Sequence, residues 1–334
     1  MSWHNKDDLG LALVGFVHDS LKISDKYRLD QGRGFTWWAS DYAQTIWADM
    51  GIFHNMANFF RLHTEIEFLR CEGQAHECEV PLLEAMADAN LSAMVYDREK
   101  DTYKLHCSVY ACYENEDWLK RLFLGAVGLQ ICEVQHTAKS LASRLGVLPA
   151  TSVHPLAGMR EHADAMVEAD ERFFKPWGTQ ASRWNGSAEW EDARQAVKRI
   201  SMTCTTDDQT QLTADFEWHH GGNGNPMRLT ITSNEAHPGL GNGLSCHLIV
   251  PINMVVGSRA HLALYLNEME RKEWNWCNDI GSWCCRGIDL AFDCFVPNIS
   301  FAVGVLPGLA HDMANRARWL DEQWESMLTS AATG

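Results

Sequence analysis

Any chemistry in this 334-residue chain has to come from a few groupings of histidine, carboxylate and cysteine. Two Glu-x-x-His patterns occur, Glu133 with His136 and Glu217 with His220. On a helix that spacing brings both side chains to one face, but a di-metal bundle needs the motif from two helices plus two further carboxylates. The first pattern falls in a helical stretch, whereas the second runs off the end of a strand into a glycine turn, so the pair is not expected to hold a metal. Cys277, Cys284, Cys285 and Cys294 fall short of a zinc ribbon, because adjacent Cys284 and Cys285 on a strand point to opposite faces. Cys71, His76 and Cys78 form a tighter group but lack a fourth ligand in a matching knuckle.

The run Gly239-Leu240-Gly241-Asn242-Gly243 has the glycine spacing of a nucleotide loop, yet it leads into an alternating strand, so no helix N-terminus awaits a phosphate. No Gly-x-Ser-x-Gly elbow is present. His-Pro occurs twice, in His154-Pro155-Leu156-Ala157-Gly158 and in His237-Pro238-Gly239. A catalytic histidine would take Glu161 or Asp164 as the nearby acid of the first. The simpler reading is a turn that Pro fixes, Gly permits and the imidazole caps. The chain is therefore expected to be no enzyme, with no catalytic set, no metal site and no cofactor. The alternative is a hydrolytic or metal-dependent enzyme drawing on His154, Glu161, His219, His220 or the cysteine cluster.

Bulk properties narrow the partners. Lys+Arg 28 against Asp+Glu 44 gives a net charge of −16, which repels phosphate backbones and argues against nucleic acid. The eleven cysteines are an odd number, and several alternate with apolar residues (Cys107 with Val109, Cys246 with Leu248, Cys294 with Phe292). That pattern belongs to buried, reduced thiols of a cytoplasmic protein. The stretch Leu11–Val17 is too short to span a membrane and lacks the flanks of a signal peptide, so no membrane association is expected. The fourteen tryptophans include two clusters: Trp37, Trp38 and Trp47, then Trp274, Trp276 and Trp283. Adjacent Trp37 and Trp38 on a strand point to opposite faces. One of such a pair is expected to be exposed or covered by something else, and an exposed aromatic is a typical protein-binding anchor, which makes the six candidate anchors for a protein or peptide client.

The periodicity places elements around these residues. Apolar positions at 9, 13, 16, 17 and 21 fit a helix, and Phe60, Leu62, Thr64, Ile66 and Phe68 alternate as a half-buried strand. A helix over about Leu82–Asn90, strands at Leu91–Tyr96 and Tyr103–Tyr113, and a long helix from Trp118 complete the first part. The second opens with Ser187 as an N-cap and acids in the first helical turn. Strands follow around Leu212–Trp218, Met227–Ile231 and Leu244–Val250, then a helix through Leu262 and Leu266, strands flanking Arg286–Gly287, and a last helix through Leu306–Trp324. Residues 82–145 and 257–327 thus carry the same succession, with almost no residue identity. The expected organisation is a first domain over 1–148, a connector over 149–186 and a second domain over 187–330, in an α+β class with mostly antiparallel sheets.

This doubled helix–three strands–helix–two strands–helix plan resembles the YbjN and type III secretion chaperone-like (TY-Chap) superfamily of bacteria, here as two tandem α-βββ-α-ββ-α domains. The short stretches that carry the resemblance are Gly34-Phe35-Thr36-Trp37-Trp38 with Gln44 and Trp47, Gln130-Ile131-Cys132-Glu133, and Ser152 to Arg160. The second half adds His237 to Gly243, Leu266-Asn267, Gly281-Ser282-Trp283-Cys284 and Phe295-Val296-Pro297-Asn298. The resemblance implies a non-enzymatic, chaperone-like fold that binds a peptide or protein, in a secretion or bacterial conflict system, with no catalytic residues to carry over. It also implies a pseudo-dimer within one chain, with a homodimer as the alternative. An immunity or assembly protein that binds one folded partner is the competing non-enzymatic reading.

Overall fold

The structure, a computed structural model, describes residues 8–54, 56–73, 75–85, 91–168, 174–207, 209–220, 224–273 and 276–331. Contacts divide the chain into two compact units, and neither is a continuous stretch. Unit 1 comprises 1–78, 92–173 and 278–280; unit 2 comprises 79–91, 174–277 and 281–334. The expected connector is thereby shared, its residues to 173 counting with unit 1 and those from 174 with unit 2.

In chain order the first run of elements is α1 (Leu9–Leu21), β1 (Arg28–Gln31), β2 (Gly34–Trp38), β3 (Ala43–Ala48), β4 (Ile52–His54), β5 (Ala57–Arg70), α2 (Ala75–Ala85), β6 (Ala93–Asp97), β7 (Thr102–Ala111), α3 (Glu116–Leu145) and the short β8 (Leu148–Pro149). After α4 (Lys175–Gly178) come α5 (Glu189–Lys198), β9 (Thr203–Asp207), β10 (Gln211–Phe216), β11 (Met227–Thr232), β12 (Gly243–Val250), α6 (Val256–Lys272), β13 (Ser282–Arg286), β14 (Asp289–Pro297) and α7 (Val305–Ala331). The two sheets share one topology. The first runs β1-β2-β3-β5-β7-β6, with β4 and β8 also pairing β5, and the second runs β9-β10-β11-β12-β14-β13. Every pairing is antiparallel. The protein is therefore α+β with antiparallel sheets. The second sheet has one strand more than the five of the expected plan and the first, with eight, has three more: β1 and β9 carry no apolar alternation, and β4 and β8 are only three and two residues long.

Local chemistry explains the element ends. Asp8 caps α1 by accepting from the Leu11 N–H at 3.1 Å, and Arg33 holds that carboxylate at 2.8 and 2.9 Å. The N-cap of α5 is Ala188, which has no capping side chain, and the expected cap Ser187 stands one residue earlier, its Oγ accepting from the Glu189 N–H at 3.2 Å. Gly146 ends α3 in the left-handed conformation with φ 73°. The helix expected over Leu82–Asn90 is instead α2, which starts earlier at Ala75 and is described to Ala85; Asn90 lies outside the described residues. Gly34 is required on β2, since a Cβ there would collide with the Ile46 carbonyl and the Trp47 backbone.

The cores follow the alternation. Leu62, Thr64, Ile66 and Phe68 of β5 are buried, as are Leu105, Cys107 and Val109 of β7 and Leu248, Phe292 and Cys294 in the second sheet. Two polar clusters sit inside these apolar layers. In unit 1, Gln44 of β3 donates to Thr64 Oγ1 at 3.0 Å, to the Val127 carbonyl at 3.0 Å and to Gln130 Oε1 at 2.9 Å, tying α3 to the sheet. In unit 2, Arg316 of α7 grips Glu270 of α6 through two 2.8 Å bonds, and the Trp283 indole donates to the same carboxylate at 2.8 Å. Arg316 also stacks over Phe292 at 3.7 Å. Burial alone would lower the Arg316 pKa, but the Glu270 charge and hydrogen bonds outweigh it and raise it. All eleven cysteines are free thiols, ten of them buried. No described helix is long and apolar enough to cross a membrane.

Candidate functional site

Tryptophan placement corrects the anchor expectation. Trp37 and Trp283 are wholly buried, and Trp38 is 7% exposed, so none of the three offers a surface to a client. Trp38 is covered: it lies edge-on to His154 at 4.9 Å, and its indole donates to Ser152 Oγ at 3.1 Å. Trp47 is half-buried and stacks flat on His63 at 4.6 Å. Trp276 is half-buried at a left-handed φ of 61°, and Trp274 lies outside the described residues.

Exposed apolar surface lies elsewhere, next to Trp47 in the chain. Met50, Ile52, Phe53 and Met56 are 60%, 40%, 71% and 92% exposed. They belong to an arm in which β4 pairs the start of β5, Ile52 opposite Phe59 and His54 opposite Ala57. All three β4 residues are exposed, and β4 lies off the main path of the sheet. Residues 50–60 contain no Asp, Glu, Lys or Arg. A natural edge strand is usually blunted by charge or proline, and this one is not. The uncharged run was visible in the sequence and is the signal that the tryptophan clusters obscured.

Both His-Pro segments are turns capped by their own imidazole. His154 Nδ1 accepts from the Leu156 and Ala157 N–H groups at 3.2 and 2.8 Å, and His237 Nδ1 from Gly239 and Leu240, both at 3.0 Å. Each loop closes by an antiparallel bridge, His154 to Gly158 and His237 to Gly241, with the glycines at φ 72° and 75°. An Nδ1 that accepts two donors places the ring proton on Nε2. Of the two acids offered to His154, Asp164 is engaged by Arg160 at 2.9 Å and Glu161 is exposed. His219 and His220 turn instead to α7. His219 Nδ1 lies 2.7 Å from Asp321, whose hydrogen bond raises the imidazole pKa, and His220 Nδ1 lies 3.2 Å from Glu325.

Further titratable groups cluster on the strands of each sheet. In unit 2, His247 of β12 stands opposite Asp293 of β14, with Nδ1 at 2.8 Å from that carboxylate and Nε2 at 3.2 Å from Glu235. Cys284 donates to Asp293 at 3.4 Å and the Arg286 Nε lies at 3.2 Å. His247, Asp293, Glu235 and Arg286 border an open pocket of about 310 Å³ that also meets His237, Ser245 and Phe295. Its thiol, Cys294, is a poor nucleophile, pushed up to about 12 by burial, and burial raises the neighbouring Cys284 thiol too.

In unit 1 two diagonal neighbours on β5 and β7, His63 opposite Ser108 and His106 opposite Glu65, build a closed line. His63 of β5 meets Asp49 at 3.0 Å and His106 of β7 at 3.3 Å, and His106 meets Asp279 at 2.8 Å. Asp279 belongs to the 278–280 segment, which bridges β7 through paired backbone bonds with Ser108 at 3.1 and 2.8 Å. Asn278 also accepts from the Tyr110 N–H at 2.7 Å. Burial opposes the Asp49 charge, but the His63 hydrogen bond and charge, with Arg61 and the Trp47 indole, hold its carboxyl below the usual range. Sequence reading missed this line because its members are scattered over more than two hundred positions. No protein-family model matches this chain, no curated protein matches it, and no solved structure matches it.

Proposed function

We propose that this chain is a non-enzymatic, chaperone-like binding protein made of two tandem domains of the YbjN and type III secretion chaperone-like plan, serving a secretion or bacterial conflict system. The client is an extended apolar segment that pairs with the exposed β4 edge and packs on Ile52 and Phe53. The observation that supports this most is the uncharged, apolar and exposed β4–β5 arm in a chain of net charge −16. Backbone pairing along such an edge supplies affinity, and side-chain contacts supply selectivity. The repeated α–strands–α–ββ–α succession supports the domain reading, with five leading strands in the first half and four in the second, in place of three, a departure from the family plan.

The test begins with cross-linking and recovery from cells making the full chain at native level. A recovered segment is then titrated directly against purified wild type and Ile52→Asp/Phe53→Asp. At least tenfold weaker binding by the variant is expected. No specific client, or a client bound equally by both proteins, would overturn the reading. A tight one-to-one complex with a folded partner would favour the immunity or assembly alternative.

A further inference from the structure

Asp49, His63, His106 and Asp279 form an unbroken side-chain line within unit 1, with links of 3.0, 3.3 and 2.8 Å. Asp49 is the surface end, its side chain 37% exposed, while His106 and Asp279 are at 0% and 1%. Without a proton, both atoms of each link are lone-pair acceptors, so each link needs one proton. Three links need three protons, and two neutral imidazoles bring only two. Wherever the protons sit at a given moment, the closed line holds one more than two neutral histidines between two carboxylates would. Its net charge is then −1 rather than −2. Arg61, which acts electrostatically on Asp49 and is 1% exposed, supplies a positive charge against it.

We infer that this line is a proton-loaded latch: three protons hold the 278–280 segment against β7, and losing one or gaining a fourth loosens it. With two protons, His63 Nδ1 and His106 Nε2 face each other as lone pairs. With four, both rings are imidazolium and N–H faces N–H. Either way the central link is lost and Asp279 is left buried beside it. The other titratable groups facing the line are Glu65 of β5, directly opposite His106, then Lys104 of β7 and Asp97 of β6. Lys104 joins both of those carboxylates at 2.7 Å; burial opposes its charge, but the two carboxylates raise its pKa, and its hydrogen bond helps to lower that of Asp97 against burial.

The direction of the pH response follows from counting protons. When the segment opens, both imidazoles meet water and titrate near the ordinary value of about 6.5. At that pH the open form holds three protons on average, the same as the closed form. Above it the open form holds two, so closing takes up a proton and weakens as pH rises. Below it the open form holds four, so closing releases one and weakens as pH falls. Closure therefore peaks near pH 6.5 and is about eightfold weaker at pH 5.0 and 8.0.

The experiment is amide hydrogen exchange on the full chain, following peptides over 102–111 and 276–283 and correcting for intrinsic rates. Wild type should show a protection maximum near pH 6.5 with both limbs. Asp279→Asn changes the count, because its amide donates to His106 and two neutral imidazoles then complete every link. That variant should keep the acid limb and lose the alkaline one. Asp49→Asn at the exposed end should do the same, and it decides the matter if Asp279→Asn does not fold. His162→Gln, at an exposed site away from the line, should keep both limbs. A flat or one-sided wild-type profile, or both limbs retained in the Asn variants, would overturn the latch.

Discussion

The last helix of each unit is tied to its surroundings by a polar cluster, and the two clusters use different chemistry. In unit 1, α3 is held by the neutral amides of Gln44 and Gln130 with Thr64. In unit 2, α7 is held by the Arg316–Glu270 ion pair, with both side chains almost completely buried. Neutral amides exact a moderate desolvation cost and return a moderate gain. A buried ion pair gains little over an apolar replacement when intact, yet is severe when half of it is removed. One topology thus tolerates either solution, even though the Gln44 Oε1 is buried with no hydrogen-bond partner among the described residues. The titratable clusters differ too: His247 and Asp293 open on a pocket, whereas His63 and His106 are closed in by Trp47 and the 278–280 segment.

Three substitutions would break or sharpen this contrast. Arg316→Met strands the Glu270 carboxylate and should cost about 3–5 kcal/mol, read by denaturant unfolding of unit 2. Adding Glu270→Gln should restore most of that loss; a double variant as unstable as the single one would mean that the pair itself is strongly stabilising. Gln44→Met, the neutral counterpart, should cost about 2 kcal/mol in unit 1 by the same assay. If it costs as much as Arg316→Met, the distinction between amide and ionic clusters fails.

The two imidazole-capped loops offer a smaller comparison. His154 is 3% exposed and packs on Trp38 and Tyr27, whereas His237 is half-buried against Phe295. His154→Ala should cost about 1.5 kcal/mol and His237→Ala less than about 1 kcal/mol, measured as thermal shifts. The smallest effect is expected at Glu189, and it is stabilising. Burial and then the Asp192 charge raise the Glu189 pKa, although the Gly304 N–H and Ser187 oppose the shift. A carboxyl raised in the folded state costs stability as pH climbs through its folded value. Glu189→Gln keeps an acceptor for Gly304 and should be more stable than wild type at pH 7, with the gap closing towards pH 4.

Particular residues show where sequence reading succeeded and why it stopped. Phe60 to Phe68 read as a strand because strict alternation has one physical meaning, a sheet with one apolar face. His154 and His237 read as turn residues because those interactions reach only two or three positions along the chain. Arg28–Gln31 and Thr203–Asp207 were missed as strands because their pairing comes from the neighbouring strand and not from apolar periodicity. Trp37 and Trp38 were misjudged because alternation says which face a side chain takes, not whether that face is covered.

By itself the sequence determined the class of fold, the doubled succession of elements, the acidic surface and the two capped loops, all consequences of composition and short-range spacing. Tertiary structure alone decided which tryptophans are inaccessible and that β4 stands out as an uncharged apolar edge. It also decided that His63, His106 and Asp279 share one line of protons. Those outcomes depend on the β5–β7 register and on where the 278–280 segment returns to the sheet. Contacts between positions so far apart in the chain leave no periodicity to read.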